Sequence, residues 1–150
     1  MTGRERLLTV LRGEIPDCVP ASPDISNMVP ARLTGKSFWQ LYLYKDPPIW
    51  EAYIAAARHF DIDSLMDGYW PLAYPGEELP GPPREPFIVF RSPERIVTQD
   101  SWLDDGRRVW APTVTVYYVA DPPSHGVPPE KIGLPPTPQR FEPVEGVRRN

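Results

Sequence analysis

The sequence predicts an α/β protein, and three features along the chain carry that prediction. A capped helix, a short apolar strand, a pair of helices and a second short strand follow one another over the first 70 residues. This order is typical of parallel strands joined by helical crossovers, because a tight turn cannot join a parallel pair. Farther along, two β-branched segments meet at Asp105-Gly106 and predict an antiparallel hairpin. A proline-rich stretch after the hairpin predicts an extended arm.

The composition excludes several classes of partner. The chain has 150 residues and a formal net charge of -4, without a basic stripe that would attract nucleic acid. It has no apolar run near the roughly 18 residues that a membrane span needs, and its opening lacks the apolar core of a signal peptide. We therefore expect neither a nucleic-acid nor a membrane partner. A single cysteine, Cys18, fits a cytoplasmic localisation.

Proline is unevenly distributed and predicts the organisation of the chain. Only six of the 22 prolines precede Pro71, so the first part can form helices and the second mostly cannot. We expect three segments. Residues 1–70 hold the helix and strand units, residues 71–120 hold a proline-rich loop and the hairpin, and residues 121–150 form the extended arm.

The first helix and the first strand have clear local signals. Thr2 and Glu5 form a capping box, in which each side chain bonds an unpaired backbone donor at the helix start. An apolar stripe follows, and Gly13 ends the helix. Residues 17–22 are short, apolar and bounded by prolines, as in a buried strand.

Two more helices and a second strand are predicted before residue 70. Ser37 and Gln40 repeat the capping-box spacing ahead of a short helix. Asp46-Pro47 begins a longer helix that we expect to end at Asp61, because aspartate caps helices and proline is tolerated in the first turn. Residues 62–67 then predict the second strand.

The start of the chain also contains an ordered set of charged residues, glycine and proline. It follows the pattern T-x-R-E-R, then two apolar helical positions, then G-E-x-P-D-x-V-P, over Thr2, Arg4, Glu5, Arg6, Gly13, Glu14, Pro16, Asp17, Val19 and Pro20. This pattern resembles the start of the uroporphyrinogen decarboxylase-like superfamily. The resemblance extends over residues 2–70, and a hairpin inserted after the second strand is similar to that of the divergent and methyltransferase-related members.

The resemblance implies both a fold and a function. Members are (β/α)₈ barrels more than twice as long as this chain, so residues 1–70 would be the first units of a TIM-type barrel. The chain would be the N-terminal portion of a lyase or methyltransferase. The complete enzyme would catalyse decarboxylation or corrinoid-linked methyl transfer on a small-molecule substrate, and we expect this chain to be inactive alone.

Barrel enzymes hold their sites at the carboxyl ends of the strands. The resemblance therefore implies that polar and aromatic residues after the first two strands bind substrate, namely Asp24, Asn27, Asp67, Tyr69 and Trp70. No catalytic residue is assigned. The alternative is that the short polar side chains bond the local backbone and that the aromatic side chains cover the barrel mouth.

The sequence departs from the family at its known sites. True uroporphyrinogen decarboxylases have an arginine-rich loop after the first strand, whereas residues 22–28 contain no arginine. An aromatic residue also stands near Asp67 where those enzymes have a pyrrole-binding acid, so we do not expect tetrapyrrole decarboxylation. Cys18, His59 and His125 are too scattered to predict a metal site. Zinc or a corrinoid is expected only in a complete parent enzyme, and no cofactor in this chain.

A rival interpretation belongs to another functional class. The chain would be a stand-alone α/β binding module that recruits a partner chain with its hairpin edge and proline-rich arm. A partial barrel would leave strand edges uncovered and so predicts self-association, whereas a compact monomer would favour the stand-alone module.

Overall fold

The computed structural model describes residues 1–64 and 82–148, and the chain divides into two compact units. The first contains Met1–Gly35 and Ile49–Glu77, and the second contains Lys36–Pro48 and Glu78–Asn150. The described helices are α1 (Gly3–Leu11), α2 (Met28–Thr34), α3 (Phe38–Tyr42) and α4 (Ile49–His59), with a 3₁₀ helix over Pro129–Ile132. The strands are β1 (Glu85–Arg91), β2 (Arg95–Asp104), β3 (Arg107–Tyr118), β4 (Ser124–Val127) and β5 (Glu142–Pro143).

The described part of the first unit consists of helices and extended segments. The predicted capping box of α1 is confirmed, since the Glu5 amide donates to Thr2 Oγ1 and the Thr2 amide donates to Glu5 Oε2. Helix α1 nevertheless contributes no buried residue. The packed part is the contact between α2 and α4, where Ala31, Ala52 and Ala56 are buried. Small side chains allow two helix backbones to approach closely.

The second unit is built on an antiparallel sheet. Its strand order is β4-β3-β2-β1-β5, and every described pairing is antiparallel. The predicted hairpin is confirmed, because β2 pairs with β3 from Arg95↔Tyr118 to Asp104↔Arg107. Asp105 and Gly106 both have positive φ, as a two-residue hairpin turn requires.

The two faces of this sheet pack against different elements. Ile96 lies on one face and clusters with Leu43 and Ile88, while the neighbouring Val97 lies on the other and clusters with Val114 and Val116. Neighbours in a strand point to opposite faces, so β2 contributes to both cores. The first face is covered by α3 and nearby residues, and the second by the region around the 3₁₀ helix.

The predicted partial (β/α)₈ barrel is wrong. The described sheet is antiparallel and lies in the latter half of the chain, after the four helices. The connections explain its direction, because three residues join β1 to β2 and two join β2 to β3. Such short links can only join antiparallel neighbours. The proline-rich stretch expected as an extended arm also differs, since it contains β4, the 3₁₀ helix and β5.

The two strands expected in the first unit are not formed among the described residues. Residues 17–22 have no strand structure, nor do residues 62–64, and the remainder of the second predicted strand lies outside the described residues. The two segments do lie side by side, because the amides of Asp63 and Ser64 both donate to the carbonyl of Ala21. Val19 is 88% exposed, so this segment lacks the neighbours on both faces that a buried parallel strand needs.

Candidate functional site

Two of the predicted substrate-binding residues lie in the described part of the first unit, and each accepts a hydrogen bond from another residue of the chain. Asp24 Oδ1 accepts a hydrogen bond of 2.8 Å from the amide of Ser26, which has positive φ. Asn27 Oδ1 accepts a hydrogen bond from the Tyr53 hydroxyl on α4. Asp24 therefore stabilises a turn, and Asn27 connects the start of α2 to α4.

The other three predicted site residues, Asp67, Tyr69 and Trp70, lie outside the described residues. The predicted substrate site therefore stays a prediction, because three of its five residues lie outside the described part of the chain. Among the described residues, histidine, cysteine, aspartate and glutamate side chains form no group of three or more that could hold a metal ion.

The charged residues of the opening pattern do meet in space. Arg6 Nε donates to Asp17 at 2.7 Å, and Arg6 Nη1 donates to Asp63 at 2.9 Å. The hydrogen bonds from Arg6 and from the N-terminal amine lower the pKa of Asp17. The amide of Ala21, followed by Arg6, lowers the pKa of Asp63. This network connects α1 to both extended segments, which gives the opening pattern a structural role.

The second unit contains a cluster of three aromatic rings on one face of its sheet. Phe87 of β1, Trp110 of β3 and Phe141, next to β5, pack edge to face with ring centres 4.9 to 5.7 Å apart. The hairpin and the proline-rich region thus contribute to one surface. Phe87 is buried, whereas Phe141 remains 47% exposed.

Arg108 lies over this aromatic cluster. Its guanidinium carbon is 4.5 Å from the Phe87 ring centre, 5.8 Å from that of Trp110 and 5.6 Å from that of Phe141. Its Nη1 donates to Ser101 Oγ at 3.0 Å. No carboxylate pairs with Arg108 within residues 1–64 and 82–148, so this cationic group can accept an anionic partner.

The hairpin extends beyond its neighbouring strands at this end of the sheet. Pairing between β1 and β2 begins at Ser101, and pairing between β3 and β4 begins at Val114. The outer edges of residues 102–104 and 107–113 therefore have no strand neighbour in the part of the chain that the structure describes. Leu103, near the turn, is 64% exposed.

A cavity of about 490 Å³ lies on the sheet face that carries Val97. Sheet residues Val89, Gln99 and Val114 line one part of it, and a segment of the proline-rich region lines the rest. Gln99 is almost completely buried, and its Nε2 donates to the carbonyls of Ala111 at 2.7 Å and Pro136 at 2.9 Å. The amide thus holds the proline-rich region against the sheet.

These residues were not predicted from the sequence. A signal was present for part of the cluster, because Arg108 and Trp110 are two positions apart in a predicted strand and so share a face. Phe141 gave no such signal, since it lies in a segment without periodicity. Gln99 was not predicted either, because a polar residue in an alternating strand is expected to face water.

No described helix is long and apolar enough to cross a bilayer. Comparisons of this chain with protein-family models, with curated proteins and with solved structures found no match.

Proposed function

We propose that the second unit is a binding module that recruits a partner chain through the tip of its hairpin and the neighbouring proline-rich region. One observation carries the proposal. Arg108 and Trp110 of the hairpin and Phe141 of the proline-rich region form a single surface cluster. Tryptophan and arginine side chains contribute most often to the binding energy of protein interfaces.

The chemistry of the cluster favours a particular partner. The aromatic rings offer an apolar surface, and the Arg108 guanidinium has unused donors with no carboxylate partner among the described residues. A bidentate bond from arginine to a carboxylate is among the stronger contacts available at a protein surface. We therefore propose an extended peptide segment in which an acidic side chain lies close to apolar ones.

A peptide titration tests this proposal. The probe is an acetylated eight-residue peptide that alternates valine and glutamate, added to the isotope-labelled chain and followed by amide chemical shifts. We expect shifts to concentrate in residues 102–110 and around Phe141. A second peptide with lysine in place of glutamate should bind much more weakly, because it repels Arg108.

Two neighbouring arginines provide a matched pair of variants. Arg108→Gln should weaken binding of the glutamate peptide by about tenfold, as expected for loss of a charge-assisted bond. Arg107→Gln should leave it unchanged, because Arg107 is exposed and makes no described contact with the aromatic rings. Equal binding by the two variants, or by the two peptides, would refute the proposal.

The enzyme implied by the opening pattern is a second candidate, which we keep as a proposal for the first unit. What supports it is that Arg6 and Asp17, two residues of the pattern, contact each other and hold together the segments that lead toward Asp24 and Asp67. The proposed activity is decarboxylation or corrinoid-linked methyl transfer on a small molecule. A cytoplasmic location is part of this proposal, and the exposed thiol of Cys18 is consistent with it.

The absorption spectrum of methylcobalamin tests the methyl-transfer form of this candidate. The purified chain would be incubated with methylcobalamin and a thiol acceptor in the dark. Because only the complete enzyme is proposed to be active, we expect the spectrum to change at the rate of a protein-free control. Faster loss of the methylcobalamin spectrum, together with formation of the methylated thiol, would show that this chain alone transfers methyl groups. A rate equal to the control would remove methyl transfer to thiols as an activity of this chain.

A further inference from the structure

The cavity in the second unit is lined by apolar side chains together with the polar side chains of Gln99, Gln139 and Arg140. Its floor is formed by the sheet residues Val89 and Val114, and its other side by Leu134, Pro135 and Pro138. A volume of about 490 Å³ lies within the range of roughly 300 to 1,000 Å³ that small-molecule sites occupy. An apolar body of modest size would fit this space.

The walls are held in place before any ligand binds. Both partners of Gln99 Nε2 are backbone carbonyls, so the orientation of the amide is settled and both of its donors are used. The amide of Leu134 donates to the carbonyl of Pro129 at 3.0 Å, after a turn at Gly133 with positive φ. Prolines restrict the backbone of the remaining wall. A preformed cavity avoids much of the entropy cost of ordering a loop on binding.

The charged groups at the cavity favour an anionic ligand. Arg140 is the cationic residue in the described lining, and no carboxylate pairs with it among residues 1–64 and 82–148. Arg91 differs, because Glu142 lies 3.2 Å from its guanidinium and offsets its charge. Arg140 also lines the neighbouring cavity of about 340 Å³, so the same guanidinium lines both cavities.

We infer that this cavity binds a small monocarboxylate with an apolar body, such as a short aliphatic or aryl-alkyl acid. The apolar part would lie against Val89, Val114 and Leu134, and the carboxylate would accept hydrogen bonds from Arg140. An inorganic anion is a poorer fit, because the apolar walls would not replace its hydration. This inference does not depend on the proposed partner surface, which uses Arg108 and the aromatic rings.

Calorimetric titration of the full chain tests the inference with three matched probes. These are 4-phenylbutyrate, its neutral amide 4-phenylbutanamide, and the cationic 4-phenylbutylamine. We expect the carboxylate to bind with one site per chain, the amide to bind about tenfold more weakly, and the amine not to bind. Inorganic phosphate should not compete. Equal affinity for the acid and the amide would overturn the inference, as would absence of binding by the acid at millimolar concentration.

Two variants separate the contribution of the Arg140 charge from that of the cavity volume. Arg140→Gln should weaken binding of the carboxylate by about tenfold and leave binding of the amide unchanged, because only the charged contact is lost. Val89→Phe should weaken both ligands by filling the cavity. Arg107→Gln is the control and should bind the acid as the natural chain does, because Arg107 is exposed and does not line the cavity. If Arg140→Gln binds the acid normally, Arg140 does not hold the carboxylate and the inference fails even where Val89→Phe does not fold.

Discussion

The side-chain amide of Gln99 donates to the backbone carbonyl of Pro136 at 2.9 Å and so joins the central strand of the sheet to the proline-rich region. The same nitrogen donates to the carbonyl of Ala111 on the neighbouring strand. A segment rich in proline has few backbone donors with which to join a sheet. The buried glutamine supplies donors that this segment lacks, and it thereby holds one wall of the cavity.

Replacement of Gln99 tests this link. We expect Gln99→Leu to lower the free energy of unfolding by about 1–3 kcal/mol, because the carbonyls of the buried Ala111 and of Pro136 lose their donor. Urea denaturation followed by circular dichroism would measure the change. Gln139→Leu is the matched control, since Gln139 is exposed and a surface change is usually worth less than about 0.5 kcal/mol. Equal stability of the two variants would show that the link contributes nothing.

The ion pairs of Arg6 predict a pH dependence. The pKa values of Asp17 and Asp63 are lowered in the folded chain, so both carboxylates stabilise it above the unfolded value of about 4. That contribution decreases as the pH falls from about 4 through the lower folded pKa values, because the carboxylates are protonated first in the unfolded chain. Arg6→Gln should therefore reduce the melting temperature at pH 7 and have a smaller effect near pH 3.

The control for this experiment is Arg12→Gln, which changes an exposed arginine at the end of the same helix. Its effect should be small and should vary little over the same pH range. Thermal melts of both variants and of the natural chain at pH 3, 5 and 7 provide the comparison. A difference between Arg6→Gln and the natural chain that stays constant from pH 7 to pH 3 would contradict the prediction.

The core of the sheet predicts a third result. Ile96 is almost completely buried in contact with Leu43 and Ile88, so Ile96→Ala should cost about 2–5 kcal/mol of unfolding free energy. Leu103→Ala, in the exposed tip of the same hairpin, should change stability by less than about 0.5 kcal/mol. Chemical denaturation distinguishes the two, and a small effect at Ile96 would mean that this face of the sheet is not packed as described.

The exposed apolar residues of the first unit predict self-association. Leu11, Ile15 and Val19 are 73%, 95% and 88% exposed, and apolar side chains this exposed favour contacts between molecules. We expect sedimentation velocity to show association that increases with concentration, and an apolar dye to bind. The double variant Ile15→Gln with Val19→Gln should reduce both. A natural chain that sediments as a dye-silent monomer at every concentration would contradict this prediction.

Part of the fold could be predicted because its signals are local. The capping boxes at Thr2 and Ser37, and the turn at Asp105-Gly106, each depend on residues within three positions of one another. Less of the candidate site than of the fold could be predicted. Asp24 accepts from the nearby Ser26 amide, as the alternative of local backbone bonding expects, whereas Asn27 accepts from the Tyr53 hydroxyl 26 residues along the chain. Asp67 lies outside the described residues, so its role stays a prediction.

The sequence by itself determined where α1 and α3 begin, where the hairpin turns, and which charges of the opening pattern are available to pair. The tertiary structure decided which strands become neighbours and which side chains meet from distant segments. Arg6 reaches Asp63, and Trp110 reaches Phe141, only after the chain has folded. The physical reason is that the backbone N–H groups of a strand can donate to the carbonyl groups of any other strand. Pairing is therefore decided by loop lengths and by the side chains that pack across both faces of the sheet, not by the residues of one segment.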